Sequence, residues 1–264
     1  MQDLTVTLIQ TYQYWQDKEA NHHHFKSLID QITLPTDLII LPEMWSTGFS
    51  MDANRLAESM EGDTVAWMAR IANERNACLI GSVIIVEHGL YYNRLIAAMP
   101  DDNIVYYDKR HCFRMAGEDK IYTPGQKLLT LEINGWKIRP FVCYDLRFPV
   151  WSRNKYDAVH GWDYDLSLYI ANWPAARAYA WKSLAIARAI ENQSYVITVN
   201  RIGEDTNGNQ YSGDSQVINS YGQVLHHLDD QAYVKTITLE KSLLVKHRLD
   251  FPVGLDADKF EFVY

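Results

Sequence analysis

The sequence predicts an α/β domain in which two sheets lie between helices. Short runs of β-branched and aromatic residues recur along the chain, among them LTVTLIQ, DLIILP, WKIRPFV, LSLYIA and YVITVN. Segments of helical period alternate with them. No linker, internal repeat or low-complexity stretch divides the chain, so its 264 residues are expected to form one domain spanning 1–264.

The elements follow in order. Residues 4–10 alternate and make a first strand. Residues 17–31 are expected to be helical, with Phe25, Leu28, Ile29 and Ile32 on one side. DLIILP is a buried strand. Asp63 is a candidate cap for a helix reaching about Asn76, with Val65, Met68, Ala69 and Ala72 at helical spacing. CLIGSVIIV, LYYNRLIAAM and NIVYYD form a meander, broken at His88-Gly89 and at Pro100 to Asn103. The run Trp136 to Val142 is a core strand. A helix is expected after it, with Pro149 in the first turn, where no N–H is needed. LSLYIA, an alanine-rich helix over 176–192 and YVITVN come next. Hairpin signals lie at Ser220 to Gln223, and ITLE ends the sheet. The aromatic, aperiodic tail from His247 to Tyr264 is expected to pack on a partner subunit.

Three polar residues stand where buried strands end. Cys143 closes WKIRPFV, at a strand-to-helix turn of the kind that presents a nucleophile to a cleft. Helix N–H groups there would favour a thiolate and stabilise an oxyanion. The alternative is a buried core thiol. Glu43 follows DLIILP, where a carboxylate is costly unless paired or partly solvated. Lys109 follows NIVYYD. Taken singly, these two read equally as a strand-end acid and a surface lysine. Together they matter because ligands of open sheets bind beyond the carboxyl ends of strands.

The segments LPEMW, YDKRH and VCYDLRFP, in that order, resemble the three signature segments of the nitrilase superfamily of carbon–nitrogen hydrolases. GEDKIYTPG, NWPAAR, ARAIENQSYV and NRIGED fall at the expected places, so the resemblance covers essentially the whole chain. CYDLRFPVWSRN followed by YIANWP is similar to the bacterial omega-amidase branch, which deaminates 2-oxoglutaramate and 2-oxosuccinamate. The stretch KYDAVHGWDYD, covering the loop at 155–163, is longer than that branch implies and reads as a surface loop or a dimer contact. The resemblance implies an α-β-β-α sandwich, a homodimer or higher assembly, and a small-molecule amide substrate. Carbamoyl hydrolysis, nitrile hydrolysis, another aliphatic amidase activity and a non-catalytic binding protein on the same scaffold are the alternatives.

The resemblance also implies roles. Cys143 would attack the amide carbon and form a thioester. Glu43 would act as the base and then protonate the leaving ammonia. Lys109 and the backbone N–H of Tyr144 would stabilise the oxyanion. Glu118, in GEDKIYTPG, matches a second glutamate that holds Lys109. Trp173 is expected to line the pocket, and Phe49 and Trp45 to supply apolar walls. The far carboxylate of a 2-oxo acid amide wants an arginine, for which Arg177, Arg114 and Arg147 are candidates.

Composition agrees with a cytoplasmic enzyme. The chain is 47% hydrophobic and carries a net charge of −8, so no basic surface for nucleic acid is expected. The start MQDLTVTLIQ lacks the pattern of a signal peptide, and no run approaches a membrane span. Three cysteines with no close pair fit a reducing compartment. Cys78 reads as packing. Cys112 and His111 are adjacent on an extended segment and therefore point apart. His22, His23 and His24 fan out around a helix, which argues against a metal. The stretch Gly203 to Gln210 has no phosphate-cradling pattern, and no cofactor is expected.

Overall fold

A computed structural model describes residues 2–262. In chain order its strands are β1 (Leu4–Gln10), β2 (Leu38–Ile40), β3 (Cys78–Glu87), β4 (Leu90–Ala98), β5 (Ile104–Asp108), β6 (Leu131–Ile133), β7 (Trp136–Val142), β8 (Tyr156–Asp157), β9 (Gly161–Trp162), β10 (Leu166–Ala171), β11 (Tyr195–Asn200), β12 (Ile202–Glu204), β13 (Gln210–Ser212), β14 (Ser215–Ile218), β15 (Val224–Leu228) and β16 (Tyr233–Leu239). The α-helices are α1 (Lys18–Ile29), α2 (Ala53–Leu56), α3 (Asp63–Arg75), α4 (Ala178–Asn192) and α5 (Lys241–Asp250).

Two six-stranded sheets carry the fold. One runs β16-β1-β2-β3-β4-β5 and the other β15-β14-β11-β10-β7-β6. The central pairings are parallel, β1 with β2 and β2 with β3 in one sheet, β7 with β10 and β10 with β11 in the other. The pleat sorts side chains into layers. Leu4, Val6 and Leu8 of β1 join a buried cluster that continues through Ile138 and Leu168 to Trp181, Ala185 and Ala189 of α4. Ile9, Ile39 and Leu79 face the other way, onto Phe25 and Ile29 of α1 and Val65, Met68 and Ile71 of α3. The result is the expected α-β-β-α sandwich. Gly81 is required where β3 meets this outer layer, because a Cβ there would lie 2.6 Å from Trp45 Cδ1.

The structure departs from the sequence reading in three places, at Asp63, after Cys143 and at ITLE. Asp63 is the first residue of α3, and the cap position belongs to Gly62. The helix ends at Asn76, which takes the left-handed conformation at φ 47°. No α-helix follows Cys143. A single 3₁₀ turn, Cys143–Arg147, takes its place, and Pro149 lies beyond it. Proline disfavours the helical region for the residue before it, and Phe148 sits at φ −116°, ψ 86°, so Pro149 ends the turn instead of opening a helix. ITLE belongs to β16, which crosses to the first sheet and pairs antiparallel with β1. Within the described part of the tail, His247 is buried in α5, and Lys155 stands 4.2 Å from the ring centroid of Phe260. Residues 263–264 of that tail lie outside the described residues. The long stretch at 155–163 forms the small β8–β9 hairpin, with the Arg248 guanidinium 4.6 Å from the Trp162 ring.

Candidate active site

Four strand ends converge at one edge of the sandwich. Glu43 lies three residues past β2 and is fully buried. Met44, next to it, adopts φ +42° and donates its N–H to Ser82 Oγ at 2.8 Å, which fixes the sharp turn after the strand. Lys109 directly follows β5, and its backbone N–H reaches Asn93 O on β4 at 3.0 Å. Cys143 directly follows β7, with its backbone in the left-handed region at φ +46°. A non-glycine residue held there is strained, a condition concentrated at functional sites.

The charged groups form one buried network. Lys109 Nζ donates to Glu43 Oε1 at 2.9 Å and to both Glu118 oxygens at 3.0 and 2.9 Å. Asn93 Nδ2 bridges the same two acids, at 2.8 Å to Glu43 and 3.1 Å to Glu118. The other Glu43 oxygen accepts the backbone N–H of Asn172 at 2.8 Å. Glu118 also accepts the N–H of Phe113. Burial opposes the Lys109 ammonium, yet Glu118 and Glu43 outweigh it and hold that group well above the usual lysine range. Burial, assisted by the Glu43 charge, raises Glu118 despite Lys109.

Burial first and the Glu43 charge second push the Cys143 thiol well above the ordinary thiol range. Burial here thus opposes the thiolate that helix N–H groups would favour. A one-turn 3₁₀ segment has too little dipole to reverse that burial. A thiol in such surroundings becomes a nucleophile only with a base beside it.

Cys143 opens onto a cavity of ≈ 600 Å³. Tyr144 and Arg147 line it from the 3₁₀ turn, three residues apart and hence on one face. Phe49, Trp173 and Arg177 line it too, as expected. The Lys109 ammonium is 5.2 Å from the Phe49 ring, Arg147 is 4.9 Å from Trp173, and Arg177 is 5.2 Å from Phe113. Among the described residues, neither Arg147 nor Arg177 has an ion-pair partner. Arg114 is not in the cavity. Its side chain is 86% exposed and faces Asp119 at 3.5 Å. Trp45 is no pocket wall either, being packed against Trp67, Phe25 and His22 in the outer core.

Sequence reasoning missed Asn93 and Asn172. Each had a signal: Asn93 is the polar residue inside LYYNRLIAA, and Asn172 directly precedes Trp173 after a fully buried strand. Cys78 is buried packing at the start of β3, and Cys112 Sγ contacts Tyr122 O at 3.6 Å. His22 and His24 point to different partners, Thr64 and Thr11.

Residues 5–243 match the model of the carbon-nitrogen hydrolase family. The chain belongs to the carbon–nitrogen hydrolase family. It is 45% identical to the omega-amidase YafV of Escherichia coli K12 over 262 residues, covering 98% of this chain and 99% of that one. It is 31% identical to the 2-oxoglutaramate amidase of Bacillus subtilis, over 82% of this chain and 78% of that one. Its structure matches that of XC1258 from Xanthomonas campestris, a CN-hydrolase superfamily protein with an arsenic adduct in the active site. The TM-score is 0.97 at 44% identity, with both chains fully covered. This hydrolase has no helix, among the described residues, long and apolar enough to cross a membrane.

Proposed function

We propose that this carbon–nitrogen hydrolase is an omega-amidase, releasing ammonia from the terminal amide of small 2-oxo acid amides such as 2-oxoglutaramate and 2-oxosuccinamate. The observation that carries the assignment is the pair Arg147 and Arg177, which line the cavity above Cys143 without an ion-pair partner of their own. They suit a substrate whose far end is a carboxylate. The names of its relatives agree.

In this mechanism Glu43 removes the thiol proton as sulfur attacks the amide carbon. Lys109 and the N–H of Tyr144 receive the oxyanion, each donor contributing about 3 kcal/mol. Glu43 then hands its proton to the departing nitrogen. Ammonia leaves, and a thioester remains on Cys143. A water molecule, deprotonated by Glu43, hydrolyses it to the dicarboxylic acid. Glu118 keeps Lys109 charged and fixed, and Asn172 aims Glu43 through its backbone N–H. The domain spans residues 1–264 and works as a cytoplasmic homodimer, with the exposed Tyr179 and Ile190 of α4 supporting a partner there. Ammonia release from the two oxo-amides, glutamine and asparagine, beside Cys143→Ala, tests the assignment. Release from the oxo-amides alone, abolished in the variant, is expected. No release from any of them would overturn it.

A further inference from the structure

Behind the 3₁₀ turn lies a further buried carboxylate, Asp145, fully inaccessible to solvent and absent from the network around Lys109. It accepts four hydrogen bonds. Asp145 Oδ2 takes the Val142 N–H at 3.1 Å and the Tyr107 hydroxyl at 2.8 Å. Asp145 Oδ1 takes the His111 N–H at 2.9 Å and His111 Nδ1 at 2.7 Å. The donors are not scattered. Val142 directly precedes Cys143, while Tyr107 and His111 lie two residues before and two residues after Lys109. Reaching back to Val142, the residue before the turn, is what an acid at the third helical position does in a capping box. The other contacts go to a different sheet.

We infer that Asp145 is a positioning residue for the hydrolysis: one carboxylate clamps the chain on both sides of Lys109 to the turn that carries Cys143, and so sets the separation of sulfur and ammonium. β5 and β7 belong to different sheets and share no ladder, so no strand pairing holds these two residues in register. The clamp also opposes relaxation of the left-handed Cys143 backbone. Tyr107 is itself braced, since its oxygen accepts Trp151 Nε1 at 2.9 Å. Buried networks with every acceptor filled rigidify the groups they join.

The inference rests on Cys143 and Lys109 being the reacting groups. It is tested with Asp145→Asn, which keeps the shape but turns one acceptor into a donor facing donors. The readouts are kcat and KM for the oxo-amide, and the rate at which iodoacetamide alkylates Cys143, followed by peptide mass. A loss in kcat of about 100-fold with KM nearly unchanged is expected, because misplacement by about 1 Å costs that much. Alkylation should slow as well. If Asp145→Asn does not fold, Tyr107→Phe decides on the same readouts, with a smaller fall of about tenfold expected in kcat. A folded variant with unchanged alkylation and unchanged kcat, or a loss confined to KM, overturns the inference. Alkylation displaces iodide and needs neither the oxo-amide nor amide hydrolysis, so a wrong substrate assignment leaves this test standing.

Discussion

Glu118 holds Lys109 through both of its carboxylate oxygens, at 3.0 and 2.9 Å, whereas Glu43 holds it through one. The unequal grip leaves the other Glu43 oxygen to the Asn172 N–H. One cation thus pairs with two buried acids, gripping Glu118 through two oxygens and Glu43 through one.

Lys109→Met leaves Glu43 and Glu118 facing each other without a counter-charge. A loss of about 3–5 kcal/mol at neutral pH is expected, as for any broken buried pair. Glu118, already raised by burial, would lose the Lys109 charge that opposes the rise, so the missing stability should return as pH falls and it takes up a proton. Urea unfolding at pH 7 and at pH 5 measures both effects. A variant as stable as wild type at pH 7 would contradict the network.

Glu118→Gln removes the acid that burial already raises above its usual range. The protein is expected to stay folded, with a melting temperature no lower than wild type, because a costly buried charge is gone. Turnover should still fall by about 100-fold, since Lys109 loses its bidentate holder beside the oxyanion. Calorimetry and ammonia release on the same sample separate the two outcomes.

Arg147→Met and Arg177→Met should each raise KM for a carboxylate-bearing amide by about tenfold or more, the worth of one charge-assisted hydrogen bond. An amide without the carboxylate should show little change. Arg114→Met, a substitution at an exposed pair, should alter neither parameter. Equal effects at all three positions would mean that the cavity does not read the far end of its substrate.

His22 is lowered from its ordinary value by burial, where it stacks on Trp67 with ring centroids 5.4 Å apart. His24 is lowered for the same reason. The unfolded chain therefore binds protons at these sites first as pH falls. Stability should drop as the solution is taken below about pH 6.5, the unperturbed histidine value. Melting temperatures between pH 7.5 and pH 5 check this, and His22→Gln should flatten the slope.

The strands were readable because each is a short, largely apolar run, and the convergence of Glu43, Lys109 and Cys143 was readable because each stands at the end of one. The turn after Cys143 was misread because proline closes short helical turns as readily as it opens helices, and spacing alone does not distinguish the two. Arg114 and Arg147 look alike in sequence. Only the fold separates them, since the first stands exposed to solvent and a 3₁₀ repeat brings the second beside Tyr144. Asn93 and Asp145 act through partners far along the chain, at Glu118 and at Tyr107, and long-range hydrogen bonds leave no local pattern.

The pairing of β1 with β16 has a temporal consequence. Thr5 and Thr238 touch through hydroxyls 3.3 Å apart, although 233 residues separate them. On a ribosome adding about 5–20 residues per second, β1 waits roughly 10–50 s for that neighbour. Until then one side of a seven-residue apolar strand presents open amide and carbonyl groups, a template for association with other nascent chains. Synthesis rate and chaperone capture during that interval should therefore govern the yield of native protein as strongly as the final contacts do.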